Sequence, residues 1–366
     1  MFLAVREMKH SKLRYLLIGF IMTLITCLVF IISGLASGLS SDNGSSIQNM
    51  NADYLVLESD VDTRLDRSVL SEEILDEIQD LNVDAVPLGQ QMTSVTRDGM
   101  DQKMDVTFFA TDADGFLVPS VVKGKGLDAG HPGHVLVDEK LKREEGLKIG
   151  DVLKDEISGE KLKVAGFTEG QTFSHTPVIY ITNEKWEKIQ QGFSKKGKAV
   201  VNAIAIQGGE DTVDKVESSL ENVEVVSKEE ALESIPSYQA EQTSLNMMIA
   251  FLFVIAAFVL AVFFYVITLQ KTQQFGVLKA LGAKTGYLAG NLIGQVILLS
   301  VISIGMGVGC TFGIQNLFPE GIPFTISNQM LVQYSLLLLA VAVLGSLLSL
   351  FRVVKVDAIE AIGRVE

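Results

Sequence analysis

Residues 242–270 read QTSLNMMIAFLFVIAAFVLAVFFYVITLQ, a stretch without one Asp, Glu, Lys or Arg. A helix rises about 1.5 Å per residue, so roughly 20 residues cross a hydrocarbon core about 30 Å thick. This stretch is longer than that. In lipid a segment must satisfy its own backbone, and a helix is the only open structure that does so. A transmembrane helix is therefore predicted here. Three other stretches lack all four charged residue types: Tyr15 to Ser41, Thr285 to Pro319 and Gly321 to Phe351. The fold expected is an α-helical integral membrane protein with four transmembrane helices, at 15–38, 244–269, 287–312 and 331–351. An α+β extracellular domain is expected over 41–243, between helices one and two.

Composition agrees. Of 366 residues, 48% are hydrophobic and 20% charged, against about 25% charged in soluble globules. The formal charge of −14 argues against nucleic acid as a partner, because phosphate backbones require clustered Lys and Arg. Two cysteines exclude a disulfide scaffold and a structural zinc site. The first apolar run exceeds the roughly 7–15 residues of a signal-peptide core, so it is expected to stay as an anchor. The third contains Gly290-x-x-x-Gly294, Gly305-x-x-x-Gly309 and Gly309-x-x-x-Gly313. That spacing permits close helix approach, within one subunit or between two.

Loop charge sets the expected orientation. The N-terminal segment, 1–14, carries Arg6, Lys9, Lys12 and Arg14 against Glu7, and the loop at 270–286 carries Lys271, Lys279 and Lys284 with no acid. Both are assigned to the cytoplasm, and four crossings return the tail, 352–366, to the same side. Residues 41–243 then lie outside. They hold 20 Lys and Arg against 39 Asp and Glu, or −19, which leaves +5 elsewhere to reach the total of −14. The acidity belongs to the external domain.

That domain opens with a Ser/Asn/Gly-rich stretch expected to be a linker (SSDNGSSIQNMN), followed by a strand from Asp53 to Leu57. Ile74, Leu75, Ile78 and Leu81 share helical spacing ahead of a strand at Val83–Val86. Val213, Val216 and Leu220 do so ahead of Val223–Val226. Two helix-then-strand units suggest an α+β lobe with internal duplication, with a β-rich part between them. Ser227-x-x-Glu230 forms a capping box.

Catalytic signals are thin. His131-Pro-Gly-His134 carries two metal-ligating side chains, but Pro132-Gly133 favours a turn and no Cys or carboxylate in the motif completes a set. Gly192-x-x-x-x-Gly197-Lys198-Ala199 approaches a P-loop, yet lacks the Ser or Thr that holds magnesium. His10 and His175 stand isolated. No catalytic site and no bound metal are expected.

The loop QKTQQFGVLKALGAKTGYLAG, beginning at Gln270, is the most informative stretch. Phe275, Leu278 and Leu281 fall on one helical face among lysines. A short amphipathic helix at the membrane surface is predicted, its apolar face resting in headgroups or docking a partner's groove. The string Phe275-Gly276-Val277-Leu278-Lys279-Ala280-Leu281-Gly282-Ala283 resembles the coupling segment of ABC-transporter permeases of the MacB/FtsX type. Val137–Lys142, Gly146–Asp151 and Val164–Phe167 resemble that superfamily's external core. The length and Ile235–Ser244 resemble most its haem-exporting permeases from Gram-positive bacteria. Two departures stand out: Gln274, where many members carry an acid nearby, and Asp357-Ala358, where Asp-Pro is usual.

The resemblance implies a permease subunit in the cell membrane, without an enzyme site of its own. It implies a homodimer among membrane lipid with two ABC ATPase subunits, which hold the ATP and magnesium. Residues 275–282 would couple to the ATPase. No resident cofactor is implied; haem is the expected cargo. Glu241, at the start of the second span, is the candidate ligand, with Tyr238, Met247 and Met248 within three turns. Two such residues would face the iron across a two-fold axis. Alternatives are export of a peptide, antibiotic or lipid, or an FtsX-like role relaying ATPase cycling to a cell-wall hydrolase.

Overall fold

The computed structural model describes residues 12–191, 200–236, 238–319 and 322–355. They form two compact units, one of residues up to Gly38 together with those from Thr243, the other Leu39–Gln242. The P-loop-like stretch at 192–199, His10 and Asp357-Ala358 fall outside the described residues.

Helix α1 spans Lys12–Gln48, with non-helical backbone angles at Gly44. The expected linker after residue 41 is therefore helical, with a kink. The reason is tertiary. Asn43, Ser45 and Ser46 are buried, Ser45 Oγ lies 2.7 Å from Thr172 Oγ1, and the Ser174 amide donates to the Asn43 carbonyl at 2.7 Å. Ser45 Oγ and the Asn43 carbonyl, which would otherwise favour a loop, thus find partners on the helix. A Cβ at Gly44 would come within 2.1 Å of Leu232 Cδ1, so a larger residue at the bend would require the Leu232 side chain to move.

The domain between the first two spans is built on one repeated unit. Strand β1 (Tyr54–Glu58) is followed by the short β2 (Leu70–Ser71), helix α2 (Glu72–Asp80) and β3 (Ala85–Arg97). Near the end of the domain come β12 (Ala203–Ile206), α5 (Glu210–Ser219) and β13 (Val223–Ser227). These strands lie in the order β13-β1-β12-β3, antiparallel throughout, with Tyr54 opposite both Ile206 and Ser227 and with Ala203 opposite Leu88. Val56, Ile78, Ile204 and Val216 form their common core. Two β-α-β units interleaved in one sheet make a ferredoxin-like arrangement, and the duplication expected from sequence corresponds to them.

What would be a simple β3–β12 hairpin instead carries the β-rich part. It comprises β4 (Lys103–Thr111), β5 (Lys123–Gly124), β6 (His134–Asp138), α3 (Glu139–Glu145), β7 (Val152–Asp155) and β8 (Lys161–Thr168), then β9 (Thr172–Phe173), β10 (Thr176–Thr182), α4 (Asn183–Gln191) and β11 (Val200–Val201). The long β3 belongs to both parts. Its first half pairs β12 and its second half β4, and the sheet continues through β10, β6, β8 and β5. Phe108, Val137, Ile179, Phe167 and Trp186 fill this second core. Helix α6 (Lys228–Glu233) starts at the predicted capping box, with both reciprocal bonds formed between Ser227 and Glu230.

The other unit holds α7 (Tyr238–Gln270, from Thr243 onward), α8 (Thr272–Ala280), α9 (Thr285–Gln315) and α10 (Asn328–Lys355) besides the first part of α1. Among the described residues, four helices are long and apolar enough to cross a membrane, α1, α7, α9 and α10. Small residues set the packing. Gly307 of α9 lies against Thr26 and the Thr23 carbonyl of α1, and Gly345 of α10 against the Ala257 and Ala261 backbone of α7. Gly34 and Gly38, one helical turn apart, make room for Pro323 and Phe324, and the Thr325 amide donates to the Gly34 carbonyl at 3.0 Å. By contrast, a Cβ at Gly290, Gly294, Gly305, Gly309 or Gly313 would meet no described atom within 4 Å. The glycine repeat of α9 therefore does not serve packing within the described chain.

Candidate functional site

Glu241 stands in the first turn of α7 and belongs to a polar network with a defined order. Asn43 Nδ2 donates to Glu241 Oε2 at 3.1 Å, and His175 Nε2 lies 3.4 Å from Glu241 Oε1. The other imidazole nitrogen, Nδ1, lies 3.2 Å from Asp42 Oδ2. Lys140 Nζ donates to Asp42 Oδ1 at 2.6 Å and to the His175 carbonyl at 3.2 Å. Asn43 is fully buried, and its Oδ1 has no hydrogen-bond partner among the described residues. The Glu241 side chain is 28% exposed and that of His175 38%, so a carboxylate and an imidazole stand side by side, both open to a ligand.

Local structure explains how His175 gets there. Phe173 pairs with Thr176 across a two-residue turn, whose central residues Ser174 and His175 have φ of 47° and 66°. Such turns ordinarily take Asn-Gly, because both positions need positive φ. A serine and a histidine held in that region mark strain of the kind that concentrates at functional sites. Sequence spacing left His175 isolated. The available signal was the turn itself, Ser-His between two apolar β runs.

The other three candidates divide. Tyr238 is buried in the domain core, its hydroxyl 2.9 Å from Ser40 Oγ. Met247 and Met248 lie six and seven residues beyond Glu241 on α7 and are exposed. Met248, a heptad after Glu241, returns to nearly the same helical face.

Beside this network, Asp138 is buried and caps α3. Its oxygens accept from the Lys140 amide at 2.8 Å and the Gln171 amide at 2.7 Å. Burial pushes this carboxyl above its ordinary range, and the two amides only partly offset it. Tyr180, fully buried and near Asp138, donates to Gln171 Oε1 at 2.6 Å, and its hydroxyl is also pushed up. At the His131-Pro-Gly-His134 turn the two rings stack 4.9 Å apart, and His131 Nδ1 lies 2.7 Å from Asp128 Oδ2. No group of three or more metal-ligating side chains occurs among the described residues.

The coupling segment folds as α8 followed by a tight stop. The Ala283 amide donates to the Leu278 carbonyl, and the Gly282 amide to the Lys279 carbonyl, both at 2.9 Å, with Gly282 at φ +91°. That is a Schellman motif, with Leu278 and Ala283 both packed against the Phe275–Leu288–Leu292 cluster. The predicted apolar face is corrected here. Phe275 is buried with Leu288 and Leu292 of α9, with Leu278 against them, while Leu281 is 79% exposed and Val277 50%. Gly276 is buried as well. The hairpin uses its largest apolar side chain to hold itself onto α9, and the open face comprises Gln273, Val277, Ala280 and Leu281.

Residues 246–358 match the family model of the FtsX-like permease C-terminal region. Over its full length the chain is 32% identical to the "Putative hemin transport system permease protein HrtB" of Staphylococcus haemolyticus, covering 99% of that protein. The namesake from Staphylococcus epidermidis is 30% identical over 99% of both chains. The chain belongs to the FtsX-like ABC-transporter permease family. As an ABC permease it is the transport subunit of a system whose partner is an ATPase. The permease also resembles the periplasmic region of MacB from Actinobacillus actinomycetemcomitans, at 9% identity and TM-score 0.38 over 50% of this chain and 92% of that one. A similar likeness holds to the extracellular domain of the noncanonic ABC-type transporter YknZ from Gram-positive bacteria, at 13% identity and TM-score 0.35 over 48% and 100%.

Proposed function

We propose that this permease expels haem, with Glu241 and His175 as the groups that meet the iron. The observation that carries the reading is their juxtaposition: a carboxylate braced by buried Asn43 and an imidazole in a strained turn, both accessible, at the start of α7. Carboxylate and imidazole both suit ferric iron. The full-length similarity to proteins named as hemin permeases supports the same cargo. Tyr238, buried and bonded to Ser40, holds the helix start in place and does not ligate.

In this reading N- and C-termini are cytoplasmic and the large domain is external, as the loop charges direct. Two permease chains act with two ATPase subunits, which bind the ATP and magnesium. Nucleotide-driven closure of the ATPases moves α8, through its open face at Val277, Ala280 and Leu281, and the permease alternates between two states. The glycine repeat of α9, unoccupied by the described chain, fits the subunit face.

The test is a haemin titration of the permease purified with its ATPase in detergent, followed in the Soret band. Wild type should show a saturable shift. Glu241→Ala and His175→Ala should each weaken it about tenfold or more, a loss of about 1.4 kcal/mol. A shift untouched by both substitutions would remove these ligands. No saturable shift from a preparation that still hydrolyses ATP would remove haem as cargo.

A further inference from the structure

Lys271 stands at the joint between two elements. Its amide donates to the Ile267 and Thr268 carbonyls at 3.2 Å, closing α7, and its carbonyl accepts from the Phe275 amide at 2.9 Å, opening α8. The loop charges place this lysine at the membrane surface, yet its side chain turns inward and is only 6% exposed. Nζ donates to the Tyr15 hydroxyl at 2.9 Å and to Gln295 Oε1 at 3.1 Å. The Tyr15 hydroxyl donates to the same Gln295 oxygen at 2.6 Å, and the ammonium lies 5.6 Å from the Tyr15 ring centroid. Tyr15 and Gln295 are buried too, above an apolar layer that includes Ile18, Leu260, Phe264 and Val296. One side chain thus joins α1, the α7–α8 joint and α9.

A lysine at the end of a span ordinarily extends its charge to the headgroups. One that turns into the bundle bears the cost of desolvation, and such residues mark function. Another anchor of the coupling helix, Phe275, packs on Leu288 and Leu292 of α9. An apolar contact of that kind can slide, whereas charge-assisted hydrogen bonds in a low-dielectric interior fix both distance and direction.

We propose that Lys271 is a positioning residue that passes movement of the coupling helix to the first transmembrane helix, through Tyr15, with Gln295 holding the ammonium in register. Helix α1 runs on from Tyr15 to Gln48, so a displacement delivered at Tyr15 enters the helix that leads into the large domain. The inference rests on the permease reading above and is independent of the cargo.

The test uses the full chain with its ATPase subunit in proteoliposomes, in a Cys27→Ser, Cys310→Ser background. Leu24→Cys on α1 and Leu344→Cys on α10, both exposed positions, carry spin labels, and labelled permease is diluted with unlabelled. Lys271→Met keeps the stem and removes the charge, while Tyr15→Phe removes only the hydroxyl and leaves Lys271 on Gln295. ATP hydrolysis should stay within about twofold of wild type, the ATP-induced change in label distance should vanish, and haemin released per ATP should fall at least about fivefold. Label movement of wild-type size in either variant overturns the proposal, as does a wild-type pair indifferent to ATP. If Lys271→Met does not assemble with the ATPase, Tyr15→Phe decides. If wild type releases no haemin while its labels still respond to ATP, the haem reading fails alone and the label distances still decide the role of Lys271.

Discussion

Two glycines show how differently a single missing Cβ can act. Around Gly282 a Cβ would meet nothing within 4 Å, but φ is +91°, so its requirement is conformational. Gly282→Ala should cost about 1 kcal/mol, the usual penalty for a left-handed non-glycine residue. At Gly38 a Cβ would lie 2.3 Å from the Pro323 carbonyl oxygen, which is backbone and cannot swing aside. Gly38→Ala should cost more, about 1–3 kcal/mol as overpacking. Thermal unfolding in one detergent should rank wild type, Gly282→Ala and Gly38→Ala in falling order. Asp138 offers a different check. Its folded value is raised above the ordinary 3.8, so its contribution to stability is complete below the unfolded value and is lost as pH rises through the folded one. Wild type should therefore lose ground to Asp138→Asn as the pH rises above the ordinary carboxylate range, when the two melting temperatures are compared. A difference that does not change with pH would mean that Asp138 keeps its ordinary affinity for protons.

At the scale of elements, the coupling hairpin separates two roles that its sequence runs together. Phe275 fills a small core with Leu288 and Leu292, whereas Leu281 faces outward. Phe275→Ala should remove about 3–5 kcal/mol of packing and lower the melting temperature. Leu281→Ser should leave melting unchanged within about 0.5 kcal/mol, as a surface substitution does. In the proposed assembly it should nevertheless reduce recovery of the ATPase in co-purification. Loss of melting temperature in Leu281→Ser, with the ATPase still bound, would reverse the two assignments. Both residues have the same apolar character, but six residues at about 100° each set them about 120° apart around the helix. The Schellman stop at Gly282 folds α9 back against the Phe275 side of α8.

For the whole molecule, the glycines of α9 bear on assembly. Gly305 and Gly309 have open space beside them in the described chain, so Gly309→Leu should leave the melting temperature of the isolated permease nearly unchanged. If the proposed homodimer uses this face, the same substitution should shift the molecule from dimer to monomer in light scattering, with ATP-driven transport lost. A dimer of wild-type strength would place the subunit contact elsewhere.

Much of this protein was determined by its sequence alone, for reasons of chain-local physics. Four uncharged stretches can only be helices in lipid, and the capping box at Ser227 and the stop at Gly282 are made by residues a few positions apart. What needed the tertiary structure involves groups far apart in the chain. The polar stretch Asp42–Gln48 reads as a linker until Thr172 and Ser174 supply its partners. His175 reads as solitary until the hairpin brings it to Glu241, 66 residues away. Lys271 reads as a surface charge until Tyr15 and Gln295, 256 and 24 residues distant, receive its ammonium. Local pattern records what a residue prefers in water or lipid, and only the packed chain decides which of those preferences a closer partner overrides.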